Sequence, residues 1–194
     1  EGLRKTLASV AAQTYANIEH IIVDGASTDG SVDVIKEYEN QLNITHSTIH
    51  LLWSSEPDNG IYIAMNCGIR KATGEYVQIL NSGDLLAAPD VTARMMNALQ
   101  VKGEEVELLY GNMVKYDYTN NRTLGKSTEV EYSLRQYYTS TMNHDCCYIR
   151  RDLFETYGLY DESLKIVSDW KWFLQTIGLG KVKPIYVDVD VTIF

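Results

Sequence analysis

Apolar and polar positions along this chain switch repeatedly between a two-residue and a 3.6-residue period. Leu3, Leu7 and Val10 recur at helical spacing with Arg4 and Lys5 between them, which predicts an amphipathic helix from residue 2 to about 13. The apolar run 18–23 halts at Asp24-Gly25, as a buried parallel strand does when it reaches a turn. Helical period returns over 32–42, after the capping-rich stretch Ser27-Thr28-Asp29-Gly30-Ser31. The same alternation predicts a strand over 49–54, a helix over 61–72 with Gly74 as its terminator, and a strand over 76–80. A helix over 91–99 and a strand over 107–110 follow.

Strand, turn and helix in succession mean βαβ units and a parallel sheet. Beyond residue 112 the pattern changes. A hairpin is expected from 114–118 and 123–126 around Asn120-Asn121, then helices over 134–138, 151–157 and 169–177, and a closing strand over 182–191. The expected organisation is one α/β domain, with a ligand-binding half over about 1–112 and a more variable half over about 113–194. The first residues already read as helix and Glu1 is not a start methionine, so a preceding segment is expected.

Composition narrows the partners. The chain has 194 residues with 17 Lys plus Arg against 26 Asp plus Glu, a net charge of -9. So acidic a surface repels a phosphate backbone, so nucleic acid is not an expected partner. Cys67, Cys146 and Cys147 make neither a disulfide framework nor a zinc spacing, and read as reduced thiols in a cytoplasmic protein. No apolar stretch is long enough to span a bilayer.

In an open parallel sheet, ligands bind beyond the carboxyl ends of the strands. Three expected strands end in polar clusters: 24–29, 56–60 and 81–84. Asp24 is either a hydrogen-bond acceptor for a nucleoside or a turn residue; Ser27, Thr28 and Asp29 suit helix capping as well as ligand contact. Asp84, just past a buried strand and next to Gly83, can supply the carboxylate that a divalent cation on a diphosphate needs. No G-x-G-x-x-G follows a strand and no P-loop occurs, which disfavours a dinucleotide-dependent enzyme or an ATPase. A nucleotidyltransferase would need a Gly-rich loop with a basic residue, and none is present.

Four segments in order make these residues resemble the family 2 glycosyltransferases. They are 9–15 (Ser-Val-Ala-Ala-Gln-Thr-Tyr), 21–31 (Ile-Ile-Val-Asp-Gly-Ala-Ser-Thr-Asp-Gly-Ser), 56–68 (Glu-Pro-Asp-Asn-Gly-Ile-Tyr-Ile-Ala-Met-Asn-Cys-Gly) and 72–84. The resemblance implies a GT-A fold: Rossmann-like, three-layer α/β/α, with a mixed, mainly parallel sheet. It implies an inverting, hexosyltransferase-type enzyme that moves a sugar from a nucleotide-diphosphate donor, with Mn²⁺ or Mg²⁺, onto a glycan or lipid-linked glycan acceptor. Bacterial relatives of this kind build cell-surface polysaccharide, which implies work at the inner face of the membrane by peripheral contact.

Position by position, Asp24, Ser27, Asp29, Asp58, Asn66, Ser82 and Gly83 match the donor-binding set. Asp84 matches the metal-binding acid of the D-x-D position, His144 a residue touching the metal or the diphosphate, and Asp169 the catalytic base. Two departures stand out. Relatives continue Gly-Ile-Tyr with an acid where this chain has Ile63, which favours a donor-binding relative without transfer as the alternative. They also begin with a strand that this sequence lacks, and the absence of a central strand would leave its neighbours unpaired. Tyr137, Tyr138, Trp170 and Trp172 suit either core packing or stacking on sugars.

Overall fold

The computed structural model describes residues 1–102 and 106–194. The first half alternates helix and strand: α1 (Gly2–Ala11), β1 (Glu19–Asp24), α2 (Ser31–Ile44), β2 (His50–Ser55), α3 (Ile61–Lys71), β3 (Tyr76–Val77), β4 (Leu85–Leu86) and α4 (Val91–Lys102). Then come β5 (Leu108–Asp117), β6 (Arg122–Lys126), β7 (Cys147–Arg150), α5 (Asp152–Tyr157), α6 (Ser168–Phe173) and β8 (Ile185–Ile193).

Consecutive residues of β5 show why the fold has three layers. Leu108 and Leu109 point to opposite faces of the sheet, and both are completely buried. Leu109 packs with Leu7, Val10, Tyr38 and Met95 from α1, α2 and α4. Leu108 packs with Tyr62, Ile69, Phe154 and Trp172 from α3, α5 and α6. Each such leucine contributes about 1.5–3 kcal/mol by leaving water. Tyr137 and Trp172 are core residues, whereas Tyr138 is 90% exposed.

The sheet is mixed, but its pairing departs from a mainly parallel expectation. β1 pairs with β2 and β5 with β8 in parallel, while β3·β7, β4·β8, β5·β6 and β5·β7 are antiparallel. The β5·β6 pair is the expected tight-turn hairpin; the departure lies in β7, which inserts antiparallel between β3 and β5, and in β4, which pairs antiparallel with β8, each across a long connection. A second correction concerns β5, which runs unbroken through Leu108–Asp117 where two strands, 107–110 and 114–118, were expected. A Cβ on Gly111 would lie 2.5 Å from the Val189 carbonyl oxygen, so this glycine marks close approach of β8 inside a bulged strand. The helix expected over 134–138 shrinks to a 3₁₀ turn, Gln136–Tyr138, and the one expected over 169–177 is α6 followed by a π turn, Leu174–Gly178.

β1·β2 and the larger sheet, ordered β3-β7-β5-β8-β4, are not hydrogen-bonded to each other among the described residues. Of the strand expected over 76–80, only Tyr76–Val77 pairs; Gln78–Leu80 instead line a cavity of about 1660 Å³ that separates β3 from β1. Ile21 and Val23 line its other wall. Glu19 at the start of β1 accepts hydrogen bonds from the Thr73 and Gly74 amides just before β3, so both strands start at one level.

Candidate active site

The sequence-predicted acids lie on the carboxyl side of β1 and β3, linked by hydrogen bonds and by short stretches of chain. Asp24, the last residue of β1, accepts hydrogen bonds on Oδ2 from the Ser27 amide (3.0 Å) and the Ser55 hydroxyl (2.6 Å). Burial works to raise its pKa, but these donors outweigh it and hold the carboxyl below its ordinary value. Next to it, Asp58 lies so close to Gly25 that a Cβ there would be 2.9 Å from its Oδ2. Asp58 Oδ1 accepts the Gly60 amide at 3.1 Å, at the start of α3.

Tyr62, in the first turn of α3, carries the contact across to the second half of the chain. Its hydroxyl donates to Asp169 Oδ1 at 2.8 Å, and His144 Nδ1 sits 3.1 Å from Asp169 Oδ2. His144 Nε2 is in turn 3.2 Å from the Asn81 side-chain nitrogen. These distances fit an imidazole protonated at Nδ1 and accepting at Nε2. Burial raises the Asp169 pKa, but the His144 and Tyr62 hydrogen bonds prevail and keep it below the ordinary carboxyl value. For His144, burial favours the neutral ring, while Asp169 first and then Asp145 and Asp84 raise its pKa above the ordinary one.

Asn81 opens the turn that ends at Asp84, whose amide donates to the Asn81 carbonyl at 3.1 Å. Gly83 sits at φ +112°, a conformation that glycine adopts without strain, and its amide donates to Thr6 Oγ at 2.9 Å. Asp84 is only 6% exposed, and no cationic side chain pairs with it among the described residues. Burial and then the charge of Asp145 push its pKa up. A buried carboxylate short of positive charge is a fitting place for a cation. Among the described residues, no group of three or more His, Cys, Asp or Glu forms a ready metal cluster, so other ligands would come from phosphate and water.

Two sequence-predicted residues, Asn66 and Asp29, are engaged by the protein's own backbone. Asn66 is 1% exposed and faces inward: its amide donates to the Tyr160 carbonyl and Glu162, and its oxygen accepts the Tyr160 amide. Its matching to the donor set is therefore corrected; this side chain has no remaining face for a nucleotide. Asp29 is exposed, with Oδ1 on the Ser31 amide at the start of α2. Ile63 is half-buried on α3. Sequence reasoning gave no role to Tyr62, Asn81 or Asp145. Asp145 is a buried carboxylate that accepts from Thr192 at 2.6 Å, and its only signal was its place next to His144.

Relatives agree with this architecture. An uncharacterized glycosyltransferase of Mycobacterium tuberculosis is 32% identical over 181 residues, covering 90% of this chain and 63% of the relative. A PGL/p-HBAD biosynthesis glycosyltransferase of Mycobacterium bovis is 28% identical, covering 95% of this chain and 68% of that protein. Thus the chain spans about 63% of the length of the first of these curated relatives. S. aureus TarS in complex with UDP superposes with a TM-score of 0.77 at 20% identity, covering 99% of this chain and 56% of TarS. The mannosyltransferase PcManGT of Pyrobaculum calidifontis, in complex with GDP-Man and Mn²⁺, gives 0.72 at 20%, covering all of this chain and 53% of that one. These likenesses show the GT-A fold. The profile of Glycosyl transferase family 2 matches residues 1–158, and the chain belongs to that family.

Proposed function

We propose that this chain binds a nucleotide-diphosphate sugar across the carboxyl edge and transfers the sugar, with inversion, to an acceptor hydroxyl. One observation carries the reading: Asp58 lies against Gly25, the residue after Asp24, and holds Gly60 at the start of α3, from which hydrogen bonds lead on from Tyr62 through Asp169 and His144 to Asn81 and the turn ending at Asp84. Asp24 and Asp58, with the exposed Ser27, face the nucleoside. Ser82 and Gly83, exposed beside Asp84, face the diphosphate.

Asp84 would hold the cation, with His144 next to it. The chemistry that a bound Mn²⁺ or Mg²⁺ supplies there is charge neutralisation on the leaving diphosphate. Asp169, ionised at neutral pH, takes the proton of the acceptor hydroxyl. The acceptor oxygen then bonds to the anomeric carbon from the opposite face, and the bond to the diphosphate breaks with its electron pair on the leaving group. The family resemblance supports a cell-surface or lipid-linked glycan as acceptor, at the inner face of the membrane. No helix among the described residues is long and apolar enough to cross a membrane.

A panel of nucleotide sugars with Mn²⁺, read by thermal shift, tests donor binding without an acceptor, because a ligand of the native state raises the melting temperature by mass action. No shift with any donor would end the reading. Ile63 favours the second reading, a donor-binding relative that does not transfer. Release of nucleoside diphosphate by the purified protein would exclude that one.

A further inference from the structure

We propose that Tyr62 is a positioning residue for Asp169, and that it ties the place of the base to the helix that begins at the donor loop. The inference rests on the transfer reading above for what Asp169 does, and on geometry for how it is held. Asp169 follows Val167, which sits at φ +67°, a conformation disfavoured for a β-branched side chain. Local preference therefore does not fix the start of α6, and contacts from outside must.

Those contacts come mostly from one face of α3. Tyr62, Asn66 and Arg70 recur at intervals of four, so they share a side of the helix. Tyr62 donates to Asp169 at 2.8 Å, Asn66 grips both backbone groups of Tyr160, and Arg70 binds Glu162 at 3.0 Å. Together they clamp the loop from Tyr160 to Asp169. The same helix starts at Gly60, whose amide is held by Asp58. One rigid element thus carries the donor loop at its end and the base clamp on its side.

Tyr62 is itself well placed to direct a carboxylate. It is buried, its ring lies 5.7 Å from that of Tyr160, and burial followed by the hydrogen bond to Asp169 raises its pKa, so it remains a donor. With His144 on the other oxygen, the carboxylate is held at two points rather than free among rotamers. A base needs placement within about 0.5 Å to act well.

The test uses Tyr62→Phe, which keeps the ring and removes the donor. A crystal structure of the variant should show the Asp169 carboxylate displaced from its place between Tyr62 and His144; an unmoved carboxylate overturns the proposal, and this arm needs no donor. Release of nucleoside diphosphate from UDP-GlcNAc and from GDP-mannose with Mn²⁺ supplies the second arm. There kcat should fall about tenfold with the donor KM within about twofold of the parent. In an Asp169→Asn background the same substitution should change nothing further; a full additive loss would make Tyr62 a packing group only. The transfer reading fails separately, if Asp169→Asn turns over at the parental rate. Should Asp169→Asn lose rate while Tyr62→Phe keeps the parental kcat, the positioning role alone is overturned.

Discussion

The acids of the two halves are held in contrasting ways. Asp29 and Asp58 accept backbone amides two residues away in their own loops, and Asp24 accepts one three residues away. Asp169 is held by His144, 25 residues before it, and by Tyr62, 107 residues before it. The donor loops are thus shaped largely by local turn chemistry, whereas the base exists as a placed group only once the halves have packed. Disturbing one half should therefore alter ligand binding, and disturbing the other should alter turnover or folding.

The largest expected effect tests the second half. Asp169→Asn keeps the hydrogen-bonding shape and removes the base, so turnover should fall by about 10²- to 10⁴-fold with little change in donor affinity. Calorimetry with donor and Mn²⁺ alongside a rate assay reads both quantities. Loss of affinity matching the loss of rate would erase the contrast between the halves.

Asp84→Ala is the counterpart in the first half. It should abolish the Mn²⁺-dependent part of donor binding, which for a donor at 100 times its Kd amounts to up to about 2.7 kcal/mol of ligand stabilisation. Removing the buried charge beside Asp145 should also leave the unliganded protein no less stable, because burial and that charge both oppose ionisation of Asp84. Equal donor affinity with and without Mn²⁺ in both proteins would contradict the cation assignment.

Asn66→Ala measures the clamp between the halves. Both backbone groups of Tyr160 lose their partner in a buried site, at a cost of about 2–3 kcal/mol read from chemical denaturation. Under 0.5 kcal/mol would mean that the loop from Tyr160 to Asp169 is held by something else.

What could be read from the sequence follows the same division. The β1, α2, β2 and α3 elements, and the turns at Asp24, Asp58 and Asp84, declare themselves through apolar period and turn residues, which are local signals. Asn66 misled because its segment carries the family resemblance while its amide serves a backbone 94 residues away. Tyr62 had no visible role for the same reason. The strand expected over 107–110 runs on to Asp117, since nothing local reveals that β8 presses against Gly111. Pairing directions were legible where the connection is local, as in the parallel β1·β2 unit and the β5·β6 hairpin, and not where β7 and β4 pair across long connections.

The smallest effect is the sharpest test of local holding. Asp29 is exposed, and its carboxylate accepts the Ser31 amide at 3.1 Å where α2 begins. That hydrogen bond holds its pKa below the ordinary value, as a helix-start acid should be held. Asp29→Ala should lower stability only slightly, since it removes one exposed turn hydrogen bond, with donor affinity unchanged. Asp24, buried a few residues earlier and gripped by both Ser27 and Ser55, should by contrast lose donor affinity when changed to Asn. If Asp29→Ala weakened donor binding as much as Asp24→Asn, a carboxylate engaged by its own backbone would still be a ligand contact. Local hydrogen bonding would then say nothing about which acids of the first half face the donor.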